Sequence, residues 1–159
     1  MLTGLCRSCG LCCDGSLFGH VRLSSDEVLR LKALGVATFK NADGTLRLKQ
    51  CCTALKGKDC GIYFSRPEAC RKYVCDLAEA VTDEELPVEE AMEIVLEAHR
   101  LIRKVELELP DPGPTSPPSA LQRAREGQDG MISEYAHQAW LKAEAHLRLH
   151  FLGHKPDEP

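Results

Sequence analysis

The chain has 159 residues, 43% apolar and 28% charged, with a net charge of −4, a balance that suits one soluble folded domain or slightly more. No apolar run approaches the ~18 residues of a membrane span, and the N-terminus has no basic stretch leading into an apolar run, as a secretory signal would. The net charge gives no general pull toward nucleic acid or acidic lipid, and the 5% aromatic content means that any core is built from Leu, Val, Ile and Ala.

Residues 1–20 hold Cys6, Cys9, Cys12 and Cys13 and read as a loop with little regular structure. Ser24 followed by Glu27 is a capping box, so a short helix is expected from there to a stop at Gly35. Residues 37–49 alternate apolar and polar around Asp43-Gly44, which predicts a β-hairpin with a two-residue turn at that pair. Pro67 suits the first turn of a helix running to about Val81. A second helix is expected from Pro87 to about Glu106, with the stripe Val88, Ala91, Met92, Val95, His99 and Ile102. The Pro-rich stretch 110–118 reads as a stiff linker. A short helix near 119–127 and a longer one near 131–152 follow. The longer one carries a stripe, Ile132, Tyr135, Ala136, Ala139, Trp140, Ala143, Leu147 and Phe151, that should dock on something.

All nine cysteines lie between Cys6 and Cys75, and the remaining 84 residues have none. Without an export signal the expected compartment is reducing and cytoplasmic, where clustered cysteines are metal ligands more often than disulfides. Charge divides at the same place: residues 1–78 carry 12 Lys and Arg against 7 Asp and Glu, and residues 79–159 carry 8 against 17. The basic excess offsets the charge that thiols acquire on ligating metal.

In Cys6-x2-Cys9-x2-Cys12-Cys13 a two-residue spacing lets a tight turn aim two sulfurs at one ion while backbone N–H groups donate to them. Adjacent Cys12 and Cys13 leave the backbone in different directions, which suggests two metal positions or a cluster. The second group is Cys51, Cys52, Cys60, Cys70 and Cys75. Cys75 is five residues beyond Cys70, about 140° round a helix and ~7.5 Å along it. Either the helix ends between them or they serve different sites. Eight thiolates would fill two four-ligand zinc sites, and iron–sulfur clusters also take four, so spacing leaves the metal open.

The joint pattern resembles the YkgJ-type cysteine-cluster proteins, a zinc- or iron-chelating family. The resemblance rests on Cys6-x2-Cys9-x2-Cys12-Cys13, Cys52-Thr-Ala-Leu55, Cys60-Gly-Ile-Tyr63, Arg66-Pro67 and Cys70-x4-Cys75. It implies chelation of zinc or iron, an iron–sulfur cluster included, through Cys6, Cys9, Cys12, Cys13, Cys52, Cys60, Cys70 and Cys75. Register with Leu55 and Cys60 assigns the ligand to Cys52 rather than Cys51. Family members include proteins labelled iron–sulfur oxidoreductases, and flagellin lysine methylases are related.

Outside the cysteines, Arg66 is a candidate anion-holding side chain, and its alternative is a bond to a nearby carbonyl. Tyr63 and Tyr73 read as cover for the metal loops. His146 and His150 stand at ligand spacing but read as helix surface, His99 as a core histidine, and His20 as a substitute ligand at most.

The expected fold is α+β and helix-rich. A small, irregular, metal-organised cysteine domain with a β-hairpin spans 1–80, a helix packing on it spans 81–109, the linker 110–118, and C-terminal helices 119–153. The expected function is metal binding, with metal ions as partners and the C-terminal helices as a surface for a protein partner. The alternatives are a metal-dependent oxidoreductase or group-transfer enzyme of the protein-lysine methylase kind, and a zinc-ribbon-like nucleic-acid binder. The last needs a basic stripe with stacking aromatics, which the scattered aromatic residues do not make. No membrane association is expected.

Overall fold

The computed structural model describes residues 2–113, 118–127 and 132–153. Positions 114–117 of the expected linker, and Met131 at the start of the expected last helix, lie outside the described residues.

The N-terminal segment is not a loop. It forms α1, Leu2–Cys9, and buries Leu5. Local propensity for it is weak, since Gly4 lies in its interior, and the helix is held by packing on two later helices.

The next elements are β1, His20–Arg22, and α2, Ser25–Ala33. Helix α2 opens with the expected capping box: Ser24 Oγ accepts from Glu27 N–H and Glu27 Oε2 from Ser24 N–H. It closes at Gly35, where the Gly35 and Val36 N–H groups donate to the Lys32 and Leu31 carbonyls, the paired bonds of a Schellman stop.

Strands β2, Thr38–Lys40, and β3, Leu46–Lys49, form the expected hairpin. Its turn is one residue longer than the Asp43-Gly44 pair. The Asn41 N–H donates to Thr45 O and the Gly44 N–H to Asn41 O, and only Gly44 has a positive φ, +87°. A three-residue loop requires one left-handed residue instead of two, and Asp43 instead accepts the Thr45 N–H on its carboxylate. Strand β1 adds to the other edge of β3, with Val21 opposite Leu48.

A two-stranded ribbon, β4 (Leu55–Lys56) and β5 (Asp59–Cys60), follows. The helix expected from Pro67 to Val81 is two helices. The first is α3, Glu68–Lys72, and the second is α4, Asp76–Thr82. Between them Tyr73 turns to ψ 124° and Cys75 is extended at φ −77°, ψ 161°. This break turns Cys70 and Cys75 toward one interior, which a continuous helix could not do.

Helix α5, Val88–Glu108, is the long helix of the chain. Its buried stripe is Ala91, Val95, Ala98, Leu101 and Val105. The expected stripe is thus rotated slightly, leaving Met92, His99 and Ile102 half-buried on its flank. Helices α6, Ala120–Glu126, and α7, Glu134–Leu147, start at Ser119 and Ser133, whose hydroxyls accept from the Gln122 and Ala136 N–H groups. A π-helical turn, Arg148–Leu152, prolongs α7 to Gly153. Helices α6 and α7 pack on α5, and Ala136, Ala143, Leu147 and Phe151 are fully buried there. Tyr135 departs from the expected stripe and is 77% exposed; it lies one position off the seam that small alanines make close.

The Arg125 guanidinium fastens this layer to the rest. It donates to Glu144 Oε1 at 2.8 Å on α7 and to the Ser16 carbonyl at 3.0 Å ahead of β1. One continuous apolar cluster runs from Leu5 to Leu152. The result is a helix-rich α+β fold with a small antiparallel sheet. Among the described residues no helix is long and apolar enough to cross a membrane.

Phe151 is fully buried and Phe64 is 88% exposed. Phe151→Ala should therefore cost about 3–5 kcal/mol, as buried Phe truncations do, and Phe64→Ala no more than about 0.5 kcal/mol. Urea unfolding of the two variants measures the difference.

Candidate metal centre

Eight of the nine cysteines line one cavity of about 100 Å³. They are Cys6, Cys9, Cys12, Cys13, Cys52, Cys60, Cys70 and Cys75. Cys51 is half-buried and does not line it. All nine are free thiols. The rest of the wall is mainly apolar, with Leu11, Phe18, Leu48 and Leu77 from the cysteine-rich half and Val95 and Phe151 from the other. Helices from the cysteine-free half of the chain therefore close the chamber that the cysteine-rich half opens.

Each sulfur arrives on a short element. Helix α1 carries Cys6 and Cys9, three residues apart and so on one face. The chain then turns at Gly10, whose carbonyl accepts the Cys13 and Asp14 N–H groups at 2.9 and 3.1 Å. Gly10 has φ +72°, and a Cβ there would stand 2.9 Å from the Lys58 carbonyl oxygen. Glycine is needed both for the turn and for the approach of the β4–β5 connection.

The Cys52 N–H donates to the Cys13 carbonyl at 2.7 Å, and the Leu55 N–H to the Cys52 carbonyl at 3.0 Å. The ribbon then returns with Cys60 opposite Leu55. Cys70 comes from α3, and Cys75 is the residue that caps the start of α4.

Burial sets the protonation of these thiols. Desolvation pushes Cys9 up to about 12 and Cys70 up to about 12. It also raises Cys6, Cys12, Cys52 and Cys75. Cys60 is the exception. The Cys13 S–H donates to its sulfur and, with the charge of Arg66 nearby, holds Cys60 down at about 6 against the cost of burial. Cys13 is raised correspondingly, first by that bond and then by desolvation. The other seven are neutral thiols near pH 7, unlike an activated nucleophile.

Arg66 is fixed in place. Its Nε donates to the Tyr63 carbonyl at 2.9 Å, its Nη1 to the Cys70 carbonyl at 3.5 Å, and its guanidinium lies 3.8 Å from the Tyr63 ring centroid. Its charge lowers Cys6, Cys60 and Cys70 relative to burial alone. Arg66 thus takes the carbonyl-bonding role weighed for it and adds a positive field at the thiols. At the edge of the cavity, which it also lines, Arg7 makes a two-pronged bond to Asp59, at 2.7 and 2.6 Å, which clips α1 to β5. Sequence spacing alone gave no sign of that pair.

Tyr73 packs edge-on to Phe18 at 5.1 Å between ring centroids. Its hydroxyl is buried, lacks a hydrogen-bond partner among the described residues, and lies near Cys12 and Cys75. An orphaned donor beside thiols fits a centre in which those sulfurs become thiolates and accept its proton. Eight soft donors in a dry wall fit zinc or iron on the same grounds. Among the described residues no three Cys, His, Asp or Glu side chains already surround one point as ligands do.

Among the described residues no histidine lines the cavity. His99 Nε2 pairs with the Cys9 carbonyl at 2.8 Å, and burial lowers its pKa, so the neutral ring donates there. His146 pairs with the Ile94 carbonyl at 3.0 Å. His20 borders a separate groove beside Phe39 and Lys49.

Residues 5–92, more than half of the chain, match the family described as "CxxCxxCC: Putative zinc- or iron-chelating domain". No curated protein and no solved structure matches the chain.

Gly10→Ala would force a left-handed alanine against the Lys58 backbone. It should cost about 1–3 kcal/mol, the range for strained non-glycine positions, read as a lowered denaturation midpoint.

Proposed function

The chain belongs to the CxxCxxCC family, and from that premise we propose that it holds zinc or iron through Cys6, Cys9, Cys12, Cys13, Cys52, Cys60, Cys70 and Cys75. The observation that carries this is the shared cavity: the eight thiols of the family pattern line one small apolar chamber, and the ninth, Cys51, does not. Burial makes eight bare thiolates there prohibitive, and a bound cation offsets that cost by taking up the charge.

Zinc would supply a closed structural charge, and an iron–sulfur cluster would add one-electron transfer. This chain's own residues serve either. The apolar wall limits water at the inner sulfurs, while Cys6 stands at the exposed edge. Tyr73 offers a hydrogen bond to a neighbouring thiolate, and Arg66 leaves a positive charge near Cys60 and Cys70.

The structural reading is favoured over the catalytic one by the position of the chamber inside the main core. Leu11, Leu48, Val95 and Phe151 belong at once to its wall and to the apolar cluster. A metal there would act as core. Such sites need a reducing compartment, and we place the protein in the cytoplasm on that chemistry.

Two measurements test the proposal. Elemental analysis and a visible spectrum of anaerobically purified protein should find tightly bound zinc or iron. Chelation should then lower the melting temperature and the ordered circular-dichroism signal together, since binding energy of a structural metal is folding energy. Metal-free protein with an unchanged spectrum and melting temperature would reject it. For the vicinal pair, Cys52→Ser should lower metal content and stability by several kcal/mol, whereas Cys51→Ser should leave metal content intact and change stability by about 1 kcal/mol or less. Loss of metal in Cys51→Ser alone would reverse the assignment.

A further inference from the structure

Resting on the metal-holding function above, we propose that the eight thiols form two separate four-thiolate centres: Cys6, Cys9, Cys12 and Cys75 in one, and Cys13, Cys52, Cys60 and Cys70 in the other.

Three features of the backbone make this division. The first is α1, which carries Cys6 and Cys9 and packs on α4. Cys75 caps the start of α4, so Cys6, Cys9 and Cys75 are carried by two elements that pack on each other. The second is the hydrogen bond from Cys52 N–H to the Cys13 carbonyl at 2.7 Å. It seats the β4–β5 ribbon, with Cys52 before it and Cys60 in it, beside Cys13. The third is the break between α3 and α4, which leaves Cys70 on α3 and puts Cys75 at the start of α4, so that the two sulfurs arrive on separate elements.

The neighbours of each sulfur agree. Cys12 stands among Cys75, Cys9 and Cys6. Cys9 stands beside Cys75 and Cys6. Cys13 shares a thiol hydrogen bond with Cys60 and lies near Cys52. Cys70 lies beside Cys52 and Cys60. Cys12 and Cys13 are adjacent in the chain yet fall in different sets, as side chains that leave the backbone in different directions can.

Four thiolates complete one zinc site or one iron–sulfur cluster, so the division predicts two equal and independent loads. The test uses the full-length chain, reconstituted with zinc and measured for metal per chain. Two double variants have opposite expectations. Cys9→Ser/Cys75→Ser removes ligands from one set and should retain half the wild-type metal. Cys9→Ser/Cys70→Ser removes one ligand from each set and should retain none. A same-set pair that loses all metal, or a cross-set pair that keeps half, overturns the division.

Cadmium NMR of the unaltered chain gives an answer independent of how the variants fold. Two tetrathiolate signals without cadmium–cadmium coupling are expected. One signal, or two coupled through a shared sulfur, overturns the division and leaves metal binding intact. A wild-type chain that takes up no zinc, iron or cadmium overturns the function itself and the division with it.

Discussion

Eight sulfur atoms that face one small apolar chamber cannot be ionised together unless positive charge enters with them. Desolvation raises almost every one of these thiols. The exception, Cys60, keeps a low pKa because Cys13 donates a hydrogen bond to its sulfur and Arg66 adds positive charge nearby. Left without a cation, the chamber holds seven neutral thiols, the low-pKa Cys60 and a tyrosine hydroxyl with no hydrogen-bond partner among the described residues. With one, as proposed, the thiols would serve as ligands and the Tyr73 hydroxyl as a donor to one of them. Much of the local architecture is intelligible as the means of bringing those sulfurs to one interior.

That means is a series of short elements. None of α1, α3, α4, the ribbon or the Gly10 turn exceeds eight residues. A small segment of this kind has little core of its own. Two supports compensate. One is the layer of α5, α6 and α7, which presses Val95 and Phe151 into the chamber wall. The other is the set of polar fasteners between segments distant in sequence, with Arg125 joining α7 to Ser16 and Arg7 joining α1 to Asp59. The Arg7–Asp59 pair is exposed and worth little energy, so its contribution is to register rather than to stability.

Local signals were readable wherever a few neighbouring residues decide the outcome. The Ser24–Glu27 capping box, the Gly35 stop and the hairpin are of this kind, because each depends on hydrogen bonds spanning a handful of residues. The stripe of α5 was readable to within a slight rotation, since its period is a property of the helix alone. Other features were hidden. Helix α1 has an interior glycine and no amphipathic length, and is held by α4 and α5. Strand β1 is three residues long and exists because β3 offers an edge. The break at Tyr73 has no glycine or proline to mark it, and the demand that Cys70 and Cys75 both turn inward is a tertiary one. The exposed position of Tyr135 reflects an alanine seam that only the α5–α7 contact reveals.

The sequence by itself determined the donor chemistry of this protein: nine thiols in one half, spaced in the pattern of a metal-chelating family and followed by a half without any. Those are covalent properties of the chain, and thiol softness and the need for four ligands act on them whatever the fold. Only the tertiary structure decided that eight of the thiols face a common chamber, that Cys51 does not, and that the cysteine-free helices close it. These outcomes depend on which surfaces meet: α1 on α4, the ribbon on the Gly10 turn, and Phe151 on the apolar wall. Such contacts join residues far apart along the chain, and their free energy is set by burial and shape rather than by local spacing.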